Sequence, residues 1–418
     1  MAQPNHNPTV SIAPLLKRLS TLDSARQVSA HEIAAAVALV FTNSISPVHF
    51  ALLLWALHTT GQDHSPEVLA ACAASMRGAA AQVDTAALRQ VVKQKAMAEG
   101  AYRGGLCDIV GTGGDGHNTV STTASILASA SLLIAKHGNN SSTSLSGSAD
   151  LLQHAKPTAP QIAATTAQNL PHIYSRTNYA FLYAREWHPG MRFAAAIRKE
   201  VPVRTIFNLL GALANPVHDT KLVEARVLGV ARCSIGPHFA EALRLSGARK
   251  ALVVCGEEDL DEVSCAGPTR CWYIHEPHDK TKTNKEGGEE KEVVIDEFVL
   301  TPEDFELPRH PLSSVHGGKG PGENAEILMK ILRNELPRDD PVLHFVLLNT
   351  AVLLTLSGIC EAESSTASSG DSEQAIAGRG PGGLRWREGL RRARWCVESG
   401  EALKQWEGFV AVTNELAM

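Results

Sequence analysis

Apolar positions in the first quarter of the chain recur at helical spacing. In "SAHEIAAAVALVFTN" and "SPVHFALLLWALHTTG" they fall three and four residues apart, which places them on one face of a helix. Ser29 and Ser46 stand where an N-cap hydroxyl is wanted, and Gly61 where a helix stops. Residues 1–98 are expected to form an all-helical unit, completed by helices around 190–215. Near residue 105 the texture changes to short, β-rich apolar runs alternating with helical ones. "EARVLGVA", "GPHFAEALRLSG" and "ALVVCG" read together as one β–α–β unit, hence part of a parallel sheet. The expected fold class is therefore α/β: a small helical N-terminal domain and a larger α/β domain, 99–418, with a mainly parallel central sheet. The run opening at Ser121 is read as a helix that continues to Lys136 and His137 and ends at Gly138.

Three stretches break this pattern. "EPHDKTKTNKEGGEEKE" (276–292) has no apolar side chain of any size, and "EAESSTASSGDSEQAIAGRGPGG" (361–383) is a Ser/Gly/Ala tract; both read as mobile surface insertions. "LHFVLLNTAVLLTLSGIC" (343–360) is the most membrane-like segment. His344 at its start and Asn349 and Thr350 near its middle make it a buried core helix rather than a span.

Composition narrows the function classes. The 418 residues carry a net charge of −5, where general nucleic-acid binding calls for a basic excess. None of the eight cysteines forms Cys-x-x-Cys, and the N-terminus lacks the apolar core of a signal peptide, so a cytoplasmic location with reduced thiols is expected.

The candidate chemistry begins at "DIVGTGGDGHNTVSTTASI" (108–126), where four glycines fall within six positions. A strand, a glycine loop and a helix N-terminus in succession aim backbone N–H groups at an anion. Gly111, Gly113 and Gly116 satisfy G-x-G-x-x-G, yet no acid follows before Asp150 to hold a ribose, which argues against a dinucleotide site. A P-loop is excluded because no Gly-Lys-Ser/Thr follows. A row of hydroxyls follows instead: Thr119, Ser121, Thr122 and Thr123. Next, "KHGNNSSTSLSGSADLLQ" (136–153) combines Lys136 with a loop of hydroxyl and amide residues and a second helix start at Ser148 or Asp150. "GEEDLDEV" (256–263) then places five carboxylates in six residues directly after a strand. Such a loop suits Mg²⁺, a hard cation that prefers oxygen. Finally, "HPGMRFAAAIRKEVPVRTIFNLLGALANP" (188–216) offers several Arg residues able to grip a carboxylate.

In this order the four stretches resemble the motifs of the anthranilate phosphoribosyltransferases, of fungal type. The resemblance runs from about residue 10 to 415. It implies a homodimer with the active site between the helical and α/β domains. It also implies transfer of ribose 5-phosphate from phosphoribosyl diphosphate to the amine of anthranilate, with Mg²⁺ as cofactor; the charge and hydropathy noted above already speak against nucleic acid or membrane as partner. By position, Gly111, Gly114, Asp115 and Thr119 match the diphosphate loop, with Thr122 beside them, and Lys136 and Ser148 match further phosphate contacts. Ser121, Asp261 and Glu262 match the metal ligands. Gly111, Asn139 and Arg198 match the anthranilate site, Arg198 facing the carboxylate.

The sequence departs from that family at four places. Two residues, commonly Phe-Asn, are missing between Thr119 and Val120, shortening the loop by up to ~7 Å of chain. Asn118, one place off in spacing, is the candidate replacement for the lost asparagine. Asn140 and Leu145 stand where the family has Arg and Lys, and Ala212 where it has Pro. Two other readings stay open: a ligand-binding homologue of reduced activity, and a pyrimidine nucleoside phosphorylase, against which the Asp-Glu pair of "DLDE" argues.

Overall fold

A computed structural model describes residues 8–95, 97–113, 119–141, 144–277, 292–315, 319–363 and 374–418. The N-terminal helices form as their pattern requires. Ser29 Oγ accepts the Glu32 N–H (3.2 Å) and so starts Ala30–Phe41; Ser46 Oγ does the same for Pro47–Thr60. Gly61 ends the latter helix at φ 72°, a left-handed conformation that costs a glycine nothing. These helices and Pro66–Gly78 share one apolar core with Ala194, Phe207 and Leu210 from Met191–Glu200 and Phe207–Leu213. Leu88, Val91 and Val92 of Thr85–Lys95 pack instead into the core of the larger domain.

Among the described residues the larger domain has seven strands: β1 (Leu106–Gly111), β2 (Leu133–Gly138), β3 (Tyr179–Tyr183), β4 (Val223–Gly229), β5 (Ala251–Gly256), β6 (Thr269–His275) and β7 (Val294–Leu300). Their order is β3-β2-β1-β4-β5-β6-β7. The first five in that order are parallel; β6 pairs antiparallel with β5, and β7 antiparallel with β6. The expected β–α–β unit is β4, the Gly236–Leu245 helix and β5, paired parallel with Val227 opposite Leu252.

One expectation is corrected. The helix after the glycine loop spans Thr119–Ala128 only, and "LIAKHG" is strand β2. Ser129 Oγ turns back to the Ile126 carbonyl (2.6 Å) and the Ser131 N–H to that of Ala128, which closes the helix. A strand covered on both faces reads as one apolar run with no period of two, so the pattern alone could not separate it from helix. Lys136 is thus a residue of the central sheet. The two Gly/Ser-rich loops leave neighbouring strands and do not flank a single helix.

The apolar segment near the C-terminus is the buried helix Pro341–Ser357, capped by Asp340. Asn349 within it bonds both the N–H and the carbonyl of Val263. Among the described residues no helix is long and apolar enough to cross a membrane. Of the two expected insertions, 278–291 and 364–373 lie outside the described residues. Residues 379–383 are anchored: Trp386 Nε1 donates to the Pro381 carbonyl and Arg379 pairs with Glu361.

Candidate active site

The C-terminal ends of β1, β2 and β5 converge on a cleft of about 180 Å³, the position where parallel sheets present their loops to ligands. Close backbone approach makes the convergence possible. Gly111 ends β1 and Gly229 ends β4, and the loop after β5 lies directly against both. A Cβ at Gly111 would sit 2.1 Å from Asp261 Oδ2, and one at Gly229 would sit 1.6 Å from the Asp261 carbonyl oxygen. Asp261 Oδ2 accepts the Gly113 N–H at 2.6 Å, which ties the carboxylate loop to the glycine loop. Asp261 and Glu262 are 8% and 6% exposed and both line the cleft.

Lys136 enters from β2. Its ammonium is buried, donating to the Ile109 carbonyl (2.5 Å) and to Ser121 Oγ (3.4 Å). Burial pulls its pKa down from 10.5 to about 8, while Asp108, Glu262 and Asp261 oppose that fall. Ser121, on the first turn of the Thr119–Ala128 helix, therefore faces both Lys136 and the cleft. Thr122 Oγ1 donates to Ser148 Oγ (2.8 Å), joining the helix after β1 to the one after β2.

The loop between β2 and the Ser148–Gln153 helix is folded around Asp150. Its carboxylate accepts the N–H groups of Ser141 (2.8 Å) and Gly147 (2.9 Å) and the Asn140 amide (2.5 Å). Asn139, Asn140, Ser141 and Ser148 are thereby held on the cleft wall. Below them Asp108 is fully buried against Arg226 Nη2 (3.2 Å) and Asn215 Nδ2 (3.0 Å). Asn215 also donates to the Ala135 carbonyl, so this polar network fixes the strand that carries Lys136.

Gly111, Ser121, Lys136, Asn139, Ser148, Asp261 and Glu262 are thus brought to one cleft, with Thr122 bonded behind Ser148. Arg198 is not on its described wall. It lies on Met191–Glu200, half-buried, with its guanidinium 5.5 Å from the centre of the Phe207 ring; burial lowers its pKa. Gly114, Asp115, Asn118 and the Thr119 side chain fall outside the described residues. Arg204, one of the basic residues of 188–216, and Asn208 also line the cleft, although the sequence reading gave neither a site role. Arg204 Nη2 donates to the Gly113 carbonyl (3.2 Å). The only sequence signal for it was its place in the basic stretch before "TIFNLLG".

Comparison with known proteins agrees with this arrangement. Residues 13–80 match the helical bundle domain of a glycosyl transferase family, and residues 103–403 its a/b domain. The anthranilate phosphoribosyltransferase of Schizosaccharomyces pombe is 36% identical over 384 residues, 91% of this chain and 92% of that protein. The chain belongs to the anthranilate phosphoribosyltransferase family. The Saccharomyces cerevisiae member is 34% identical over 319 residues, 74% of this chain and 73% of that one. Its structure in complex with PRPP and Mg superimposes with a TM-score of 0.75 at 30% identity, covering 97% of this chain and 99% of the other. The Thermus thermophilus enzyme gives 0.69 at 31% identity, covering 94% and 99%.

Three of the departures noted from sequence are placed within this anthranilate phosphoribosyltransferase fold, while the shortened loop adjoins residues outside the described ones. Asn140 is built into the loop: its amide meets Asp150 and its carbonyl accepts the Tyr183 hydroxyl (2.5 Å). Leu145 is 69% exposed. Ala212 is buried in Phe207–Leu213, and its carbonyl accepts Arg226 Nη2 (2.6 Å). The positive charge on the described cleft wall comes from Lys136 and Arg204.

Proposed function

We infer that this chain transfers the 5-phosphoribosyl group of phosphoribosyl diphosphate to the amine of anthranilate, giving N-(5-phosphoribosyl)anthranilate and diphosphate in tryptophan biosynthesis. The observation that carries this reading is the meeting of a buried ammonium, a helix-borne hydroxyl and two carboxylates in one cleft at the ends of β1, β2 and β5. The names of the relatives support it.

Diphosphate is assigned to the glycine loop, to Lys136 and to Ser148, with Gly114, Asp115, Asn118, Thr119 and Thr122 belonging to the same loop and helix start. Ser121 Oγ and the Asp261 and Glu262 carboxylates form an all-oxygen donor set that fits Mg²⁺. That ion, when bound, supplies positive charge to the departing diphosphate. As the ribosyl C–O bond breaks, positive charge grows on the sugar and negative charge on the leaving group. Lys136 and the loop N–H groups stabilise the latter without reorganising. The amine lone pair of anthranilate forms the C–N bond, and its proton passes to solvent. An aryl amine is already a free base at neutral pH, so no general base is required. Gly111, Asn139 and Arg198 are assigned to anthranilate, Arg198 to its carboxylate.

The test is loss of anthranilate fluorescence by the full chain with phosphoribosyl diphosphate, with and without Mg²⁺. Asp261→Asn lowers kcat and weakens the Mg²⁺ dependence; an unaltered dependence removes Asp261 from the metal site. No turnover from folded wild-type chain overturns the reading.

A homodimer is proposed on a second observation. Val48, Leu52 and Trp55 lie on one stripe of Pro47–Thr60 and are 67%, 49% and 46% exposed. With Ile197 and Val201 they line an apolar groove of about 430 Å³, a surface suited to a second copy. Trp55→Glu is expected to shift sedimentation from dimer to monomer; an unchanged dimer places the interface elsewhere. A cytoplasmic location accompanies this reading, supported by eight cysteines of which seven are buried outside any disulfide.

A further inference from the structure

The cysteines contain no Cys-x-x-Cys, yet the sheet brings two of them together from 22 residues apart. Cys255 is the penultimate residue of β5 and is buried. Cys233 lies half-buried in the turn after β4, its thiol directed at the carbonyls of Cys255 (3.8 Å) and Gly256 (3.7 Å). The chain leaving β5 then doubles back: Gly256 N–H bonds the Leu260 carbonyl (2.9 Å), and Asp259 takes a left-handed φ of 60° at the turn. One ligand atom from each of Cys233, Cys255 and Asp259 lies within 4.8 Å of the other two.

We propose that Cys233, Cys255 and Asp259 form a binding site for one thiophilic divalent cation such as Zn²⁺, separate from the oxygen donors assigned to Mg²⁺. Two sulfurs and one carboxylate disfavour Mg²⁺ and favour zinc or cadmium. With Zn–S near 2.3 Å and Zn–O near 2.0 Å, donors around a tetrahedral ion stand about 3.5–3.8 Å apart. The side chains therefore need to close by only about 1 Å, within the reach of rotamer adjustment. The fourth position falls to water, because Asp259 is exposed and Cys233 only half-buried. Each thiol gives up its proton to solvent as the ion binds. The site shares the Gly256–Glu262 turn with Asp261, so an ion on Asp259 fixes the backbone two residues ahead of that carboxylate. None of this depends on the reaction proposed above.

The test titrates reduced, metal-free full-length chain with Cd²⁺ while following the ultraviolet thiolate-to-cadmium band. Zn²⁺ is measured separately by competition with a chromogenic chelator. The expected result is one ion per chain, not displaced by excess Mg²⁺, with affinity falling by more than the roughly 10–100-fold typical of losing an outer-shell partner in Cys233→Ser and in Asp259→Asn. Both residues are at or near the surface, so these variants retain the fold, checked by circular dichroism; Cys396→Ser, in the other apolar core, serves as the control for loss of a thiol outside the site. A missing band in wild type, or a band unchanged in Cys233→Ser, overturns the proposal. So does a Cys233–Cys255 disulfide found by peptide mapping in air-exposed protein whose reduced form binds no cadmium, which makes the pair a redox couple instead.

Discussion

Gly229 carries no chemistry, yet replacing it by alanine is expected to disable the site. The added Cβ would lie 1.6 Å from the Asp261 carbonyl oxygen and 2.3 Å from its carbonyl carbon. Ordinary contact begins at 3.4 Å, so the loop has to withdraw by roughly 1.8 Å, the difference 3.4 − 1.6. The backbone that must move belongs to Asp261 itself, and a side-chain rotation cannot absorb the overlap. Misplacing a catalytic group by about 1 Å costs on the order of 100-fold in rate. Gly229→Ala is therefore expected to lose at least about 100-fold in kcat/KM, about 2.7 kcal/mol of transition-state stabilisation. The overpacking itself costs about 1–3 kcal/mol of fold stability. The assay is anthranilate fluorescence at saturating phosphoribosyl diphosphate across a Mg²⁺ series, with circular dichroism to establish folding. Gly78→Ala is the control, because a Cβ there meets nothing within 4 Å. If folded Gly229→Ala keeps its kcat/KM and its Mg²⁺ half-saturation within about threefold of wild type, the close approach does not position Asp261 and the argument fails.

Two further perturbations separate stability from function. Burying the Lys136 ammonium, with its pKa down from 10.5 to about 8, costs roughly 3 kcal/mol at neutral pH. Lys136→Met should raise the unfolding midpoint while increasing the KM for phosphoribosyl diphosphate by about tenfold or more; an unaltered KM removes Lys136 from the phosphate site. Burial also holds His188 and His218 down to about 4, with Arg77 lowering both, Arg226 also lowering His218, and Asp219 opposing the latter fall. Their neutral forms support the fold fully above about pH 6.5, and that support is lost as the pH falls from there toward 4. At about pH 5 the loss is about 2 kcal/mol for each. In urea titrations His188→Gln should accordingly lose about 2 kcal/mol less than wild type between about pH 7 and pH 5. Equal losses would show that His188 is not buried neutral.

Sequence alone determined a good deal here, and for local reasons. The Ser29 and Ser46 caps, the Gly61 stop and the β–α–β unit ending in "ALVVCG" are set by residues a few positions apart. The glycine loop and the acidic loop stand out by composition, and the resemblance to the family then singled out Ser121, Lys136, Asp261 and Glu262 position by position. What hydropathy could not decide was β2, because a strand buried on both faces has no period to distinguish it from helix. Only the tertiary structure turned Lys136 inward under Ser121, aimed Arg204 at the Gly113 carbonyl and gave Asn140 to Asp150. The same holds for Gly229 against Asp261 and for Cys233 beside Cys255 and Asp259. Each of those contacts joins segments that meet only when parallel strands stack side by side, and a one-dimensional pattern records residue type and period but not which strand ends are neighbours.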